Sequence, residues 1–563
     1  MKSSFLKFAI VLAVAATSAF RAEAAGLFLP PSAEARELTA LAPFPAVEEE
    51  VLGERMSQPV GVMAPGDVGF SEDFWKGYDR GNLLAALDGV KRLPPSPSLV
   101  AIMRNALLMT SPLPEGWGPD DADIHLARTR ALMRAGMLKD ASRLAQAWPT
   151  VPAREDFART LAEAMFLAGD NDAACLGVRS LQNAFSGPFW FKAQAACQFL
   201  SGETQAGLLS LDMLREREMA EDASFLKIAE AMVVGNRPDI AITAPDALLF
   251  AMMRIGGFPL PETATKGNPV LTAVFALAEG TAPQFRLKAG MEAASVEIID
   301  GKTLMGILEA VPFDAREIKN AFDVADGGIY GIRLVALVHQ ALLFQPRTGK
   351  DDAKRVALIG KALAAAPVLT GGVADVFRHM IAPLPPDASP QIAVDAAALF
   401  YLAGDDEMAG TWRDAALRSS DAGVVAAAHR LWPFAVLAGH ADMGGLSTWM
   451  AEQEREGDGA GRRIVRVLAV LSAMGLEVSP ETFETWAQDE SGQVRNPALV
   501  AALEQAADEG QQGRSLMLAS KLLSAGVQQA PVDSLRAVLK ALRELKMEDA
   551  ARALAREAIV SAL

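Results

Sequence analysis

The sequence predicts an all-α protein: an α-solenoid of stacked antiparallel helix pairs, preceded by a proline-rich extended arm. Three observations carry that expectation. A glycine-centred turn recurs at a fixed period, apolar residues recur at helical spacing from about residue 71 to the C-terminal end, and the composition is poor in strand formers. Hydrophobic residues make up 51% of the chain but aromatics only 6%. Abundant alanine favours closely packed helices over sheet.

The first 24 residues read as a secretory signal. Lys2 and Lys7 give a positive start, Phe8 to Ala16 is a short apolar core, and Ala22-Glu23-Ala24 places small residues before a cleavage point between Ala24 and Ala25. The apolar run is shorter than the roughly 20 residues a membrane span needs. No later stretch is long and apolar enough to span either, so the released chain is expected in the periplasm. Cleavage would remove Lys2, Lys7, Arg21 and Glu23, a net +2, and take the formal charge from −16 to −18. Such acidity repels phosphate backbones, which makes nucleic acid a poor partner and basic protein surfaces better ones.

Residues 25–70 differ from the rest. Pro30, Pro31, Pro43, Pro45, Pro59 and Pro65 are scattered among small and acidic residues without periodicity, which predicts an extended arm lacking a core of its own. Entry helices are expected at about 71–92 and 98–110, within a region that closes near residue 119 at Pro112, Pro114 and Pro119.

A first repeat block is assigned to 120–255. Gly136, Gly169, Gly202 and Gly235 follow one another at intervals of 33, each with an apolar residue three positions earlier (Met133, Phe166, Phe199, Met232) and an alanine four to six positions later. The same unit returns at Gly404 and Gly439. A period near 34 marks stacked helix–turn–helix units, with glycine ending the first helix of each in the left-handed conformation. This pattern resembles the tetratricopeptide-repeat (TPR) family over about 120–250 and 395–450. The family's early aromatic is matched only by Phe157 and Trp190, and its closing proline is irregular, so the resemblance implies degenerate, TPR-like pairs. Residues 256–390 are off-register and punctuated by proline, and are expected to form an irregular helical junction. A second block covers 391–563. It closes on the helix pair 532–561, whose polar Lys540, Arg543, Glu544, Arg552 and Glu557 suit an end cap.

The only two cysteines, Cys175 and Cys197, lie about equally far from a turn at Ser186-Gly187, so they face each other across an antiparallel pair and are expected to form a disulfide in an oxidising compartment. No catalytic, cofactor or metal constellation is expected. The five histidines stand alone, and neither H-E-x-x-H nor G-x-S-x-G occurs. Gly301-Lys302-Thr303 ends a phosphate-loop pattern whose first glycine is replaced by Val296, and the glycines of 457–461 read as a flexible loop. Trp190, Trp412 and Trp449 are candidate partner-contact aromatics, although packing within the repeats is the plainer role for each. Export, repeats and a missing active site together predict a scaffold or adaptor for one or more envelope proteins. An accessory or degenerate peptidoglycan-acting enzyme is the alternative, resembling the solenoids of lytic transglycosylases. A small-molecule binder is a third class, which would require one apolar pocket with convergent polar groups. Oligomeric state is left open by the sequence.

Overall fold

Ten turns of one kind punctuate the described residues, at 136, 169, 202, 257, 297, 404, 439, 475, 510 and 546. In each, a residue of positive φ donates its N–H to the carbonyl three residues back, and the next N–H reaches five back, as in Gly169 to Phe166 (3.1 Å) and Asp170 to Met165 (2.9 Å). Two orphan carbonyls of the ending helix are thereby satisfied. Glycine holds eight of these positions; Glu297 (φ 62°) and Lys546 (φ 59°) hold the other two. Gly235 also has a positive φ, but its N–H bonds Ala231 instead.

This is a computed structural model, and it describes residues 60–560 except 91–93, 113–121, 149–153, 182, 217–222, 237–245, 259–267, 323–330, 346, 458 and 487–495. The chain divides into two units, Met1–Arg55 and Met56–Leu563, and every described residue belongs to the second. The signal segment with its Ala24/Ala25 cleavage point, and the arm up to residue 59, lie outside the described residues.

Among the described residues there are only helices and two isolated bridges, Val60–Ser111 and Met63–Met109. The entry helices are α1 (Arg80–Asp88) and α2 (Pro97–Leu108). Then come the pairs α3 (Asp123–Arg134) and α4 (Leu138–Gln146), α5 (Glu155–Ala168) and α6 (Asn171–Leu181), and α7 (Pro188–Leu200) and α8 (Thr204–Glu216). Next are α9 (Ala223–Val234), α10 (Ala247–Ile255), α11 (Pro269–Leu277), α12 (Pro283–Ser295), α13 (Gly301–Glu309) and α14 (Ala315–Asn320). They are followed by α15 (Ile332–Phe344), α16 (Asp352–Ala365), α17 (Gly371–Ile381), α18 (Ala393–Ala403), α19 (Asp406–Leu417), α20 (Ala422–Arg430), α21 (Trp432–Leu437) and α22 (Leu446–Arg455). The last are α23 (Ala460–Ala473), α24 (Pro480–Trp486), α25 (Pro497–Asp508), α26 (Gln512–Leu522), α27 (Val532–Glu544) and α28 (Glu548–Val560). Consecutive helices pack as antiparallel pairs around one continuous apolar core. No described helix is long and apolar enough to cross a membrane.

Two expectations need correction, those for the arm and for the C-terminal pair. The last part of the arm is docked: the Val62 N–H donates to the Leu108 carbonyl (2.8 Å), the buried Arg128 guanidinium donates to Val60 O (2.8 Å), and Phe70 is buried. The described helices of the expected junction at 256–390 join the same core: α13 packs on α17 and α15, and α11 folds back onto α3, α4 and α5. The C-terminal pair is not an outward-facing cap. Helix α28 packs against α2, α18, α21, α23 and α27, and buries Leu554, Ile559, Arg556 and Glu557. Of the polar residues expected on the pair's other face, Lys540, Glu544 and Arg552 are exposed, but Arg543 and Glu557 find internal partners, as does Arg556. Arg556 forks onto Asp406 (2.8 and 2.9 Å), and Arg543 donates to Ala473 O (2.8 Å).

The two ends of the repeat array therefore meet. The Ser98 N–H donates to Glu557 Oε2 (2.9 Å), Ser98 Oγ to Ala553 O (3.2 Å), and the Gly513 N–H to Phe74 O (2.9 Å). Helices α2, α3, α11, α12, α17, α18 and α28 pack each on the next and the last on the first, so the solenoid forms a closed circuit.

Candidate functional site

The sequence-predicted positions are dispersed by the fold. Cys175 near the start of α6 and Cys197 near the end of α7 are joined by a disulfide, their Cα atoms 5.5 Å apart. The six turn glycines (136, 169, 202, 235, 404 and 439) all have φ between 74° and 87° and punctuate helix ends; they converge on no common site. The candidate contact aromatics are buried. Trp412 and Trp449 lie in the second-block core, where each indole N–H finds no hydrogen-bond partner among the described residues, and Trp190 stacks on Phe185 and donates to Glu155 Oε1 (3.2 Å). Their size places them in the core: each fills space between helices that alanines cannot fill. His125 is also internal, against Trp148 and Phe157, and burial holds its pKa down at about 3, so it stays neutral. Among the described residues, no group of three His, Cys, Asp or Glu is arranged to hold a metal.

Where helices α2, α17, α18 and α28 close the circuit, they line a half-open cavity of about 340 Å³. It owes its shape to close backbone approaches. A Cβ on Gly301 would sit 2.5 Å from Asp375 Cβ, and one on Gly372 would sit 2.8 Å from the Gly301 nitrogen, so α13 and α17 can cross there only with glycine. Thr370 Oγ1 donates to Ser295 O (2.8 Å) and ties the start of α17 to the end of α12. The wall is apolar along Phe70, Ala101, Ile102, Ala374 and Ala553, and polar at Asn105, Glu297, Asp375, Arg378, Asp549 and Glu557.

Glu297 is the unusual member. It occupies the turn position that glycine usually takes, with its N–H on Ala294 O (3.2 Å) and the next N–H on Ala293 O (2.9 Å). A side chain in the left-handed region costs about 1–2 kcal/mol. Burial, then the Asp375 and Asp300 carboxylates, push its pKa up to about 7, against the pull of Arg104 and Arg378. Both arginines already have partners: Arg104 Nε donates to Asp140 (2.5 Å), and Arg378 pairs with Asp375. Glu557 of α28, against the start of α2, is likewise raised by burial, opposed by the Ser98 N–H it accepts. Sequence reading missed Glu297, because only the phase of the turn marks it: it lies 40 residues after Gly257, where the eye seeks glycine.

A second cavity, of about 410 Å³, lies between α3, α5, α7 and α10. Its charges have partners in one another, in rings and in the backbone, as where Arg134 donates to Val90 O and Asp246 accepts the Leu249 N–H. Arg159 pairs with Glu163 (2.8 Å) and lies over Phe189 (4.8 Å), and Lys192 lies over Phe225 (5.9 Å). Beside it, α10 packs across α5 and α7, the first helices of two successive pairs. Arg254 of α10 donates to the Leu167 (2.9 Å) and Phe166 carbonyls at the end of α5. The face that these first helices share is thus occupied by the chain itself.

The second helices are different. Leu176 on α6 and Leu209 on α8, each seven residues after its turn glycine, are 68% and 64% exposed. Met213 on α8 and Val233 and Val234 on α9 are exposed as well. No family model, no curated protein and no solved structure matches this chain.

Proposed function

We propose that this chain is an exported, TPR-like interaction protein of a bacterial cell envelope, acting as a scaffold or adaptor for a partner protein rather than as an enzyme. The observation that carries this reading is the pair Leu176 and Leu209, large apolar side chains left in solvent at equivalent positions of successive repeats. Scattered exposed leucines need no explanation. Repeated ones on neighbouring pairs, with Met213 beside them, form a surface that gains by being covered. The first-helix face is filled by α10, which leaves the second helices for docking. The disulfide at Cys175–Cys197 fixes α6 against α7 beneath that surface and suits an oxidising compartment. The N-terminal signal pattern points the same way.

The test is quantitative capture from detergent-solubilised envelopes, comparing the wild-type chain with Leu176→Asp/Leu209→Asp. A stoichiometric partner that is recovered by the wild type and lost with the folded double variant supports the reading. Identical recovery by both, or no stoichiometric partner for the wild type, refutes it. A second reading, binding of a small molecule, is favoured by the cavity at the circuit's closure, which combines an apolar wall with the Glu297 carboxyl group, reached by no hydrogen bond among the described residues.

A further inference from the structure

We propose that the half-open cavity lined by α2, α17, α18 and α28 binds a small organic cation, whose charge is received by Glu297 and whose apolar body lies along Ala101, Ile102 and Ala374. This rests on the small-molecule reading above and names the ligand class.

Charge balance selects the class. Four carboxyl groups line the cavity (Glu297, Asp375, Asp549 and Glu557) against one lining cation, Arg378. Arg378 is held by Asp375, and Arg104 beside Glu297 is held by Asp140. Glu557 receives the Ser98 N–H. Among the described residues, no hydrogen bond or ion pair reaches the carboxyl group of Glu297. An anion entering here would meet a net-negative wall, and a neutral molecule would leave Glu297 unpaired and further desolvated, which is costly. A metal ion lacks its ligand set among the described residues. An organic cation both pairs with the carboxylate and covers the apolar wall. At about 340 Å³ the space sits at the small end of ligand pockets, which suits a compact amine rather than a polymer segment.

Binding should follow the ionisation of Glu297. The groups facing it are Asp375 and Arg378 on α17, Arg104 on α2 and Asp300 before α13, with Asp549 and Glu557 across the cavity on α28. Its carboxyl group titrates at about 7. Between pH 8 and pH 6 its ionised fraction falls from about nine-tenths to about one-tenth, while an alkylamine stays charged.

Calorimetric titration of the purified full-length chain with hexylamine, hexanol and hexanoate tests this. Hexylamine is expected to bind at pH 8 at least tenfold tighter than either matched compound, and up to tenfold weaker at pH 6. Glu297→Gln should weaken hexylamine about tenfold and flatten the pH dependence. Ala101→Leu fills the cavity from the α2 wall without touching a charge, and should abolish binding while the circular dichroism and melting temperature stay unchanged. Hexanol or hexanoate binding as tightly as hexylamine overturns the ligand class but leaves the pocket reading standing. Failure of all three to bind overturns both. Undiminished hexylamine binding by Ala101→Leu or Glu297→Gln overturns the location.

Discussion

Glu297→Gln should abolish a pH-dependent penalty on the stability of the whole fold. Glutamine keeps the size of the side chain and its left-handed backbone, so the substitution deletes the charge alone. In the folded chain the carboxyl group titrates at about 7 instead of its ordinary 4.5, chiefly because of burial and then Asp375. A raised folded pKa means that the fold favours the protonated form. Its stabilisation is therefore complete below about 4.5 and is lost as pH rises through about 7. That rise corresponds to about 3 kcal/mol, trimmed to about 2–3 because the side chain is partly reached by solvent. An unfolding entropy of roughly 2 cal/mol/K per residue over about 500 residues gives about 1 kcal/mol per degree, so the effect is about 2–3 °C. Melting curves of both proteins at pH 5 and pH 8 provide the assay. The melting temperature of the variant, relative to wild type, should rise by about 2–3 °C from the lower pH to the higher. An equal difference at both pH values would refute the placement of a buried, ionising carboxyl group at this turn.

Reducing the Cys175–Cys197 bond, which closes a 22-residue separation, should cost on the order of 3 kcal/mol. Hydrogen exchange should rise in α6 and α7 while α23–α27 stay protected, and spread of the effect to those helices would count against local stapling. Lys546→Gly should raise stability by about 1 kcal/mol, because the exposed lysine occupies a left-handed turn with φ 59°; urea titration that shows no gain or a loss contradicts the strain argument. Leu554→Ala removes a fully buried side chain of α28 and should cost about 2–5 kcal/mol. Its increased hydrogen exchange is expected in α2 and α18 as well as α23, and confinement to α27 and α28 would refute closure of the circuit.

The helical class and the pairing of helices were legible because they rest on local signals. Phe157, Leu161, Ala164, Met165 and Ala168 share a face at helical spacing, and Gly169 ends their helix in the conformation its lack of Cβ permits. The repeat was lost after Gly439 because the signal, not the structure, changes. The turns at Gly475, Gly510 and Lys546 continue it at intervals of 36, 35 and 36, but the residues three positions before them are Ser472, Ala507 and Arg543, and the last turn has no glycine. Glu297 escaped for the same reason. Closure of the circuit was illegible on different grounds. The stripe Leu535, Val538 and Leu542 says that a helix buries one face but not against what, and Ser98 and Glu557 are 459 residues apart. The tryptophans were legible only as alternatives, because an aromatic at a repeat position reads the same whether it faces a partner or fills a gap between alanine-rich helices; all three take the plainer, packed role.

Closure over that distance is thermodynamically modest. Loop-closure entropy grows only with the logarithm of length, so joining segments 459 residues apart costs about 5 kcal/mol even for a flexible chain. Burying Leu554 and Ile559 at about 1.5–3 kcal/mol each offsets most of it. The cavity exists only because of this closure, since its walls come from α2 and from α28. The exposed apolar surface on α6, α8 and α9 shares no residue with that cavity, and α6 and α8 pack chiefly on their neighbouring repeats. Repeat contacts are mostly between neighbours, so the two surfaces should be energetically independent. Leu176→Asp/Leu209→Asp is therefore expected to leave hexylamine affinity within about twofold of wild type, and saturating hexylamine should leave partner capture unchanged. A shift of tenfold in either direction corresponds to about 1.4 kcal/mol of coupling. It would mean that the closure and the apolar face belong to one two-state element, and the claim of independence would fail.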